Sequence, residues 1–529
     1  VMRRFKDGSI LECVVWTKPE KPGKVESQRQ PAIVTQIARH LLGRHVPKLV
    51  PDIDVVSGPI GFVPNLDERT RRLWVMFEAC RTHICQLSSL PLSIKDIHPG
   101  DYGFCYTQVA QRSAPLSSDG TANQIERPLH EIVVEFEASG RWPSDSKAAQ
   151  KVACALLLQM REEMKTDLGI EADVTENFLD IQYPEAVFRV QIFHPHEHFE
   201  VAGRVTNFQA QASAPLPNDD DLDRLRTLWW RPRVCAALHG HALQMPALAG
   251  ASKLCKQWMA SQMLSGYDDF IEHLVASAFL QPAPFEVPTS PQVGFCRVLW
   301  LLDAFDWTHE PLVVDFDEKI SQENRLSMRQ SFEAGHKDGK RINTFWVSSR
   351  WDPHSILLSS PPATVCAWLC RRARHALGVY NRRLLSGPGA GVPASAAWQG
   401  VFALDTSAFD ILVSLSLQGT AAKGPKGAQR HAAASCEAIR QVVSKLRAHL
   451  SPVCLVFHGS DNKIALKWRP GAFVPQPQSV LMGTIPHTLV PPSDGHPLLC
   501  VPNVLCLTST IFSLLEGFAA DVTIVGGRG

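Results

Sequence analysis

The sequence lacks an excess of charge of either sign: 53 Lys and Arg stand against 52 Asp and Glu in 529 residues. That balance excludes a bulk field that draws in nucleic acid, so any phosphate contact has to come from local basic patches. No apolar run approaches the roughly 18 residues that carry a helix across a bilayer, and no secretory signal opens the chain, so no membrane partner is expected. The 14 cysteines, from Cys13 to Cys506, occur singly and never in a CxxC pair. Zinc-ribbon spacing and a disulfide framework are thereby set aside, and reduced thiols of a nuclear or cytosolic protein are expected. Walker loop, nucleophile elbow and dinucleotide fingerprint are all missing. The stretch SGPGAGV, Ser386 to Val392, has glycines but no Lys-Ser/Thr ending and reads as a linker. No repeat recurs at a period of roughly 20 to 50 residues.

What is present is ordinary globular material, with 45% apolar and 20% charged residues. The length predicts about three or four domains. The chain opens on Val1 inside what reads as a structural unit, as a piece of a longer protein does. ILECVVW (Ile10 to Trp16) is strand-like, and Ile33, Val34, Ile37, Ala38, Leu41 and Leu42 fall at helical spacing. A helix follows over about Thr70 to Leu87, then a short strand in LPLSIKDIHPG. EIVVEFEASGRWP alternates Ile132, Val134 and Phe136 with polar positions, predicting a half-buried strand. Ser144 or Asp145 can cap a helix over Ser146 to Lys165, and VFRVQIF is a second strand. From Asp219 to Leu280 the pattern is helical, with Leu248, Leu254, Trp258 and Met259 on one face and Lys253 and Lys256 off it. Helical runs continue at Gly294 to Phe305 and Pro362 to Arg374, with a strand at Ile342 to Val347. Towards the end come a strand in FDILVSLS, a helix from His431 to His449, and a hairpin in VCLVFHGSDNKIALKW.

Five stretches in order, RRFKDGSILECVVW, EASGRWPSDSKAAQKV, SPQVGFCRVLWLLDAFDW, KWRPGAFVPQPQ and VPNVLCL, resemble successive signatures of the nucleolar RNA-associated protein (Nrap) family. The resemblance covers almost the whole chain and corresponds to the C-terminal half of the family protein. It implies an α+β and α/β multidomain architecture: a degenerate nucleotidyltransferase-like domain, a poly(A) polymerase/OAS-like helical domain, and α+β tail domains. On that division residues 1–62 end a tail-like domain, 63–218 form the transferase-like domain, 219–385 the helical domain and 386–529 the C-terminal tail. The resemblance also implies a catalytically inactive, nucleolar subunit of the small-subunit processome. Its implied partners are pre-rRNA in the snoRNA-containing pre-ribosome, UTP-C module proteins including casein kinase II, and other processome subunits. No cofactor is implied.

An active transferase needs two acids at i, i+2 on a strand, a third from a neighbouring strand, and a Gly-Ser turn for the triphosphate. Asp315 and Asp317 in PLVVDFDEKI share a strand face about 6 to 7 Å apart. They have no Gly-Ser turn upstream and fall in the helical domain, so a solvated strand end is expected. Glu135 and Glu137 also share a face, while Asp96 and Asp101 are not at i, i+2. No catalytic and no metal-binding residue is therefore expected. FHPHEHFE groups His194, His196, Glu197 and His198 in a loop, and Cys366 and Cys370 lie at i, i+4 with His375 nearby; both read as structural. The remaining candidates are basic clusters for RNA phosphates: Arg3, Arg4 and Lys6; Arg39, Arg44, His45 and Lys48; Lys253 and Lys256; Arg371, Arg372 and Arg374 with Arg382 and Arg383; and Lys467 and Arg469 beside Trp468. The alternative function is an active template-independent nucleotidyltransferase that adds nucleotides to RNA ends.

Overall fold

The computed structural model describes residues 2–4, 10–12, 40, 44, 66–87, 89–109, 128–137, 142–143, 146–193, 219–337, 345–385, 394–416, 432–459, 463–477, 486–490, 499–515 and 519–524. The chain divides into two compact units, Val1–Arg72 with Val379–Val401, and Leu73–Gly378 with Phe402–Gly529. In the first, strands β1 (Met2–Arg4) and β2 (Ile10–Glu12) pair antiparallel with Arg3 opposite Leu11. Arg44 is an exposed helical residue there, and the rings of Tyr380 and Trp398 meet at 5.6 Å.

The second unit begins within helix α1 (Leu66–Cys85), at Leu73, and continues with β3 (Ile94–Pro99), β4 (Leu129–Phe136), α2 (Ser146–Asp167), β5 (Ala172–Val174), β6 (Leu179–Gln182) and β7 (Val187–Phe193). The sheet order is β3-β4-β7-β6-β5; β4 and β7 are parallel and every other pair is antiparallel. A parallel pair needs a crossover, and α2 lies between the two strands in sequence. On α2, Ala153, Leu156, Leu157, Met160 and Met164 recur at helical spacing and are buried against Ile132, Val134 and Phe136 of β4. Leu73, Phe77, Cys80 and Ile84 of α1 join the same core.

The other face of β4 is covered too. Val133 packs with Phe193 and Leu228, and Glu135 is buried. The half-wet strand expected from alternation is therefore corrected: both faces are closed, because helices from two parts of the chain pack on them. The second layer begins with α3 (Asp219–Leu225), one turn of π-helical spacing at Arg226–Trp230, α4 (Arg231–Gln244), α5 (Pro246–Ser261), α6 (Asp268–Leu280) and α7 (Pro291–Ala304). Every residue of α6 from Asp269 to Phe279 is buried, so this helix is the centre of the layer. A short parallel pair, β8 (Leu312–Val314) and β9 (Val347–Ser349), flanks α8 (Gln322–Lys337) in sequence. The strand expected at Ile342 to Val347 thus begins only at Val347, with residues 341–344 outside the described set.

After α9 (Ala363–Leu385), whose residues from Val379 on belong to the first unit, and α10 (Ala394–Phe402), which belongs to it up to Val401, come β10 (Ile411–Ser416), α11 (Ala432–Leu450), β11 (Cys454–His458), β12 (Lys463–Trp468), β13 (Gln476–Pro477), β14 (His487–Leu489), β15 (Leu499–Pro502), α12 (Val504–Leu514) and β16 (Ala519–Ile524). Four strands run antiparallel in the order β11-β12-β10-β16, and β13-β15-β14 form a second small sheet. Leu446 and Leu450 of α11 and Leu507 and Ile511 of α12 are buried with Val413, Ile464 and Leu466. This sheet meets the helical layer directly: Ser265 N–H donates to the His458 carbonyl at 2.8 Å, and Trp368 packs edge-on against Phe409 and Phe457. Among the described residues, no helix is long and apolar enough to cross a membrane.

Candidate functional site

The acids that a transferase reading would use are placed by the five-stranded sheet and by β8. On β6, Asp180 is followed at i+2 by Gln182, an amide where a metal site would want a second carboxylate. Arg189, opposite on β7, donates from Nε and Nη2 to the two Asp180 oxygens, both at 2.9 Å, and its guanidinium lies 3.6 Å from the Phe178 ring centre. A bidentate fork of this kind neutralises the carboxylate and uses both of its oxygens. Glu135 on β4 is held by Lys95 Nζ at 2.7 Å and His98 Nε2 at 3.3 Å. Burial pushes its carboxyl up, but Lys95 and His98 together outweigh burial and hold it below the usual range. Glu137 lies past the strand end and is exposed, so the two glutamates are not a matched pair. Asp96 meets Arg81 at 3.4 Å. Asp101 accepts the N–H groups of Gly103 and Glu131 at 2.6 and 2.7 Å and caps the turn Tyr102–Cys105.

Asp315 and Asp317 follow β8, at the strand end that the sequence predicts. Asp315 is not solvated, however, which corrects the expectation. It is buried, accepts the N–H groups of Lys319 and Ile320 at 3.2 and 3.3 Å, and receives Arg325 Nη2 at 2.9 Å. Its role is to close a turn. Asp317 is held by Arg350 Nη1 at 2.5 Å. Among the described residues no three His, Cys, Asp or Glu side chains group as metal ligands. The run from His194 to His198 lies outside the described residues. Cys366 and Cys370 are half-buried rather than buried; a hydrogen bond from Cys366 lowers the Cys370 thiol pKa, and His375 is exposed.

Where the sheet domain meets the helical layer, the space is filled by a buried polar network. Tyr102 Oη donates to Asp269 Oδ1 at 2.5 Å, and Arg231 Nε and Nη2 donate to the two Asp269 oxygens, both at 3.2 Å. Arg231 Nη1 also lies 3.6 Å from Glu131. Burial raises the Asp269 carboxyl, but the Arg231 charge outweighs it and keeps the group ionised. Lys256 Nζ sits 2.6 Å from Glu272 Oε1, 3.2 Å from the Thr107 carbonyl and 4.5 Å from the Tyr102 ring centre. The Lys256–Glu272 contact is an ion contact off line for hydrogen bonding, and neither Glu272 oxygen has a well-directed donor. Burial lowers the Lys256 pKa, yet Glu272 and Asp268 raise it by more, so the ammonium stays charged.

This network decides the fate of one predicted RNA contact. Lys256, expected off the apolar face of its helix, is buried and bound to Glu272, and no phosphate can reach it. Lys253, on the same helix, is half-buried. Arg372 donates to Gln262 Oε1 at 2.8 Å and to the Ala403 carbonyl at 2.6 Å. Lys467 Nζ donates to the Ala408 carbonyl, and Arg469 Nε donates to the Ser451 carbonyl at 2.6 Å. Arg371 and Arg374 are exposed, the latter paired with Asp303 at 2.8 Å. Arg3 and Arg4 fall on β1, while Lys6, Arg39, His45 and Lys48 lie outside the described residues. The sequence reading missed Asp180 and Arg189; the signal was LDIQ, a single acid where a pair was sought, with an arginine on the next strand. It also missed the Arg231–Asp269 contact, whose halves lie 38 residues apart and carry no local pattern.

Three family models match in chain order: Nrap protein domain 3 over residues 1–47, Nrap protein nucleotidyltransferase domain 4 over 64–240, and Nrap protein PAP/OAS1-like domain 5 over 245–392. Nucleolar protein 6 of Homo sapiens is 26% identical over 98% of this chain and 48% of its own length, and that of Mus musculus matches equally. U3 small nucleolar RNA-associated protein 22 of Schizosaccharomyces pombe is 25% identical over 66% of this chain and 33% of its own. The chain therefore spans about half the length of the curated relatives it matches. Among solved structures, terminal uridylyl transferase 4 from Trypanosoma brucei with bound UTP is 11% identical, with a TM-score of 0.34 over 66% of this chain and 98% of that one. The Cid1 poly(U) polymerase, in a Mg 3'-dATP complex, is 10% identical, with a TM-score of 0.35 over 63% of this chain and 94% of that one. Three successive domain matches in one order, and relatives aligned along nearly the whole sequence, show that the chain belongs to the Nrap family.

Proposed function

We propose that this chain is part of a non-catalytic scaffold of the small-subunit processome. On this reading it binds pre-rRNA and partner proteins in the nucleolus during 18S rRNA maturation, with casein kinase II and the UTP-C module among the partners. The names of the relatives, nucleolar protein 6 and U3 small nucleolar RNA-associated protein 22, support a place in ribosome biogenesis.

One observation carries the non-catalytic half of the reading. Among the described residues, four of the acids weighed above already face a cation: Asp180 has Arg189, Glu135 has Lys95, Asp315 has Arg325 and Asp317 has Arg350. A carboxylate clamp for two divalent ions needs acids that converge with their charge unspent. Here the charges are spent on holding strands and turns together. A fold relieved of chemistry keeps its surfaces, and those can hold RNA or protein chains.

Filter binding of a structured RNA across a salt series tests the RNA half. The expected result is an affinity whose logarithm falls linearly and steeply with the logarithm of salt, as released counterions require. A flat line, or no retention, contradicts RNA binding and leaves a protein-only platform.

A further inference from the structure

The helical layer carries an aromatic patch for which a transferase-like fold has no evident use. Phe285, in the loop after α6, and Trp300, on α7, are 40% and 39% exposed. Their rings meet edge to face at 5.0 Å with 83° between the planes. The Arg297 guanidinium lies over the Phe285 ring, 3.3 Å from its centre. Val293, Arg297 and Trp300 follow one another at one-turn spacing along α7, and Val293 and Val287 are exposed as well. A contiguous exposed apolar surface of this kind marks an interaction site, because leaving it wet is unfavourable.

The geometry fixes what the patch can offer. The guanidinium covers one face of Phe285 and the indole meets that ring edge to face, while both aromatic side chains keep an exposed part. One turn past Trp300, Asp303 accepts from Arg374 of α9 at 2.8 Å, which brings exposed Arg374 and Arg371 alongside. Arg297 is half-buried, its Nη1 closed off from solvent without a hydrogen-bond partner, so its guanidinium serves the Phe285 ring and adds charge to the patch. Glu286, next to Phe285 in the chain, is exposed, and half-buried Asp303 is already held by Arg374. Three guanidiniums against these two acids leave a surplus of one positive charge beside the two aromatic rings.

We propose that this patch stacks the bases of single-stranded RNA on Phe285 and Trp300, with Arg371 and Arg374 meeting the flanking phosphates. The inference rests on the RNA-binding reading above and deepens it by naming the class of RNA and the place. Stacking on a side chain needs an open base face, which a duplex hides, so the partner is unpaired RNA. The cationic surplus favours a polyanion over another protein surface.

The test uses the full chain and its double variant Phe285→Ala/Trp300→Ala, with thermal unfolding as the control that both exposed positions tolerate the change. Affinities are measured by fluorescence anisotropy for a short oligouridylate and for an RNA duplex of equal charge. The expected result is about ten-fold or greater weakening for the single strand, little change for the duplex, and an unaltered salt slope. The pair Arg371→Ala/Arg374→Ala instead lowers that slope, by about 0.7 for each phosphate that no longer meets a guanidinium, and Trp300→Phe retains most of the affinity. A wild-type chain that binds the single strand no more tightly than its double variant does overturns this inference alone. A wild-type chain that binds neither RNA overturns the RNA-binding reading with it. Unchanged RNA affinity together with reduced self-association of the double variant in sedimentation assigns the patch to a protein contact instead.

Discussion

Lys256 shows how a buried charge is tolerated: Glu272 and Asp268 raise its pKa by more than burial lowers it, and the Thr107 carbonyl of the neighbouring domain accepts from its ammonium. Lys256→Met strands the Glu272 carboxylate in the interior and is expected to cost about 3 to 5 kcal/mol in urea unfolding. Lys256→Met/Glu272→Leu removes both charges and should recover most of that loss, whereas a double variant no better than the single one would contradict the pairing. His273 and Asp352 give the pH dependence. Burial pushes the His273 pKa down from 6.5 to about 4 while its ring stacks on Trp230, and His354 falls to about 4 for the same reason. Between those values the unfolded chain holds a proton that the folded chain does not, so stability rises with pH through the window and is lost as pH falls toward 4. Asp352 acts the other way: burial outweighs three backbone N–H donors, lifts it to about 6, and makes stability fall as pH rises from 3.8 to 6. Two histidines against one carboxyl leave a net rise, of which His273 alone supplies at most about 3 kcal/mol. Unfolding midpoints between pH 4.5 and 7 should therefore climb, and His273→Phe should flatten the climb; an equal slope in the variant would contradict it. None of these pairings is legible in sequence, since Lys256 gives no local sign that its counter-ion lies on the next helix.

Single elements were far more readable. VFRVQIF is the observed β7, DDFIEHLVASAFL is α6 residue for residue, and the hairpin around Gly459 is β11 and β12. These follow from periodicity and turn residues alone. What periodicity could not report is the second layer on β4, because Val133 and Glu135 look like a wet face until the helical layer is added. Close helix approach also hides in single residues. At Gly294 a methyl group would stand 2.7 Å from Ala251 Cβ and 2.7 Å from a Phe279 ring carbon, closer than real contacts allow. Gly294→Ala should therefore destabilise by about 1 to 3 kcal/mol, although alanine is the better helix former. Thermal unfolding checks the sign, and a stabilised variant would mean that α5, α6 and α7 can spread without loss.

For the molecule as a whole, segments far apart in sequence share one compact unit, with 402–529 placed alongside 73–378. The four-part division at 62/63, 218/219 and 385/386 follows chain order, and chain order carries no information about such joins. The aromatic cluster of Trp368, Phe409 and Phe457 is one such join. Phe409→Ala should cost about 3 to 5 kcal/mol and should separate the unfolding of the C-terminal sheet from that of the helical layer, seen as two transitions where wild type shows one. A single transition at an unchanged midpoint would contradict the join.

The central claim, that this transferase-like chain does no nucleotidyl transfer, is tested most directly by incubating it with labelled UTP or ATP, an RNA primer and Mg²⁺. The account predicts no label in RNA above background. Incorporation that needs the metal and disappears in Asp315→Ala or Asp180→Ala would contradict it.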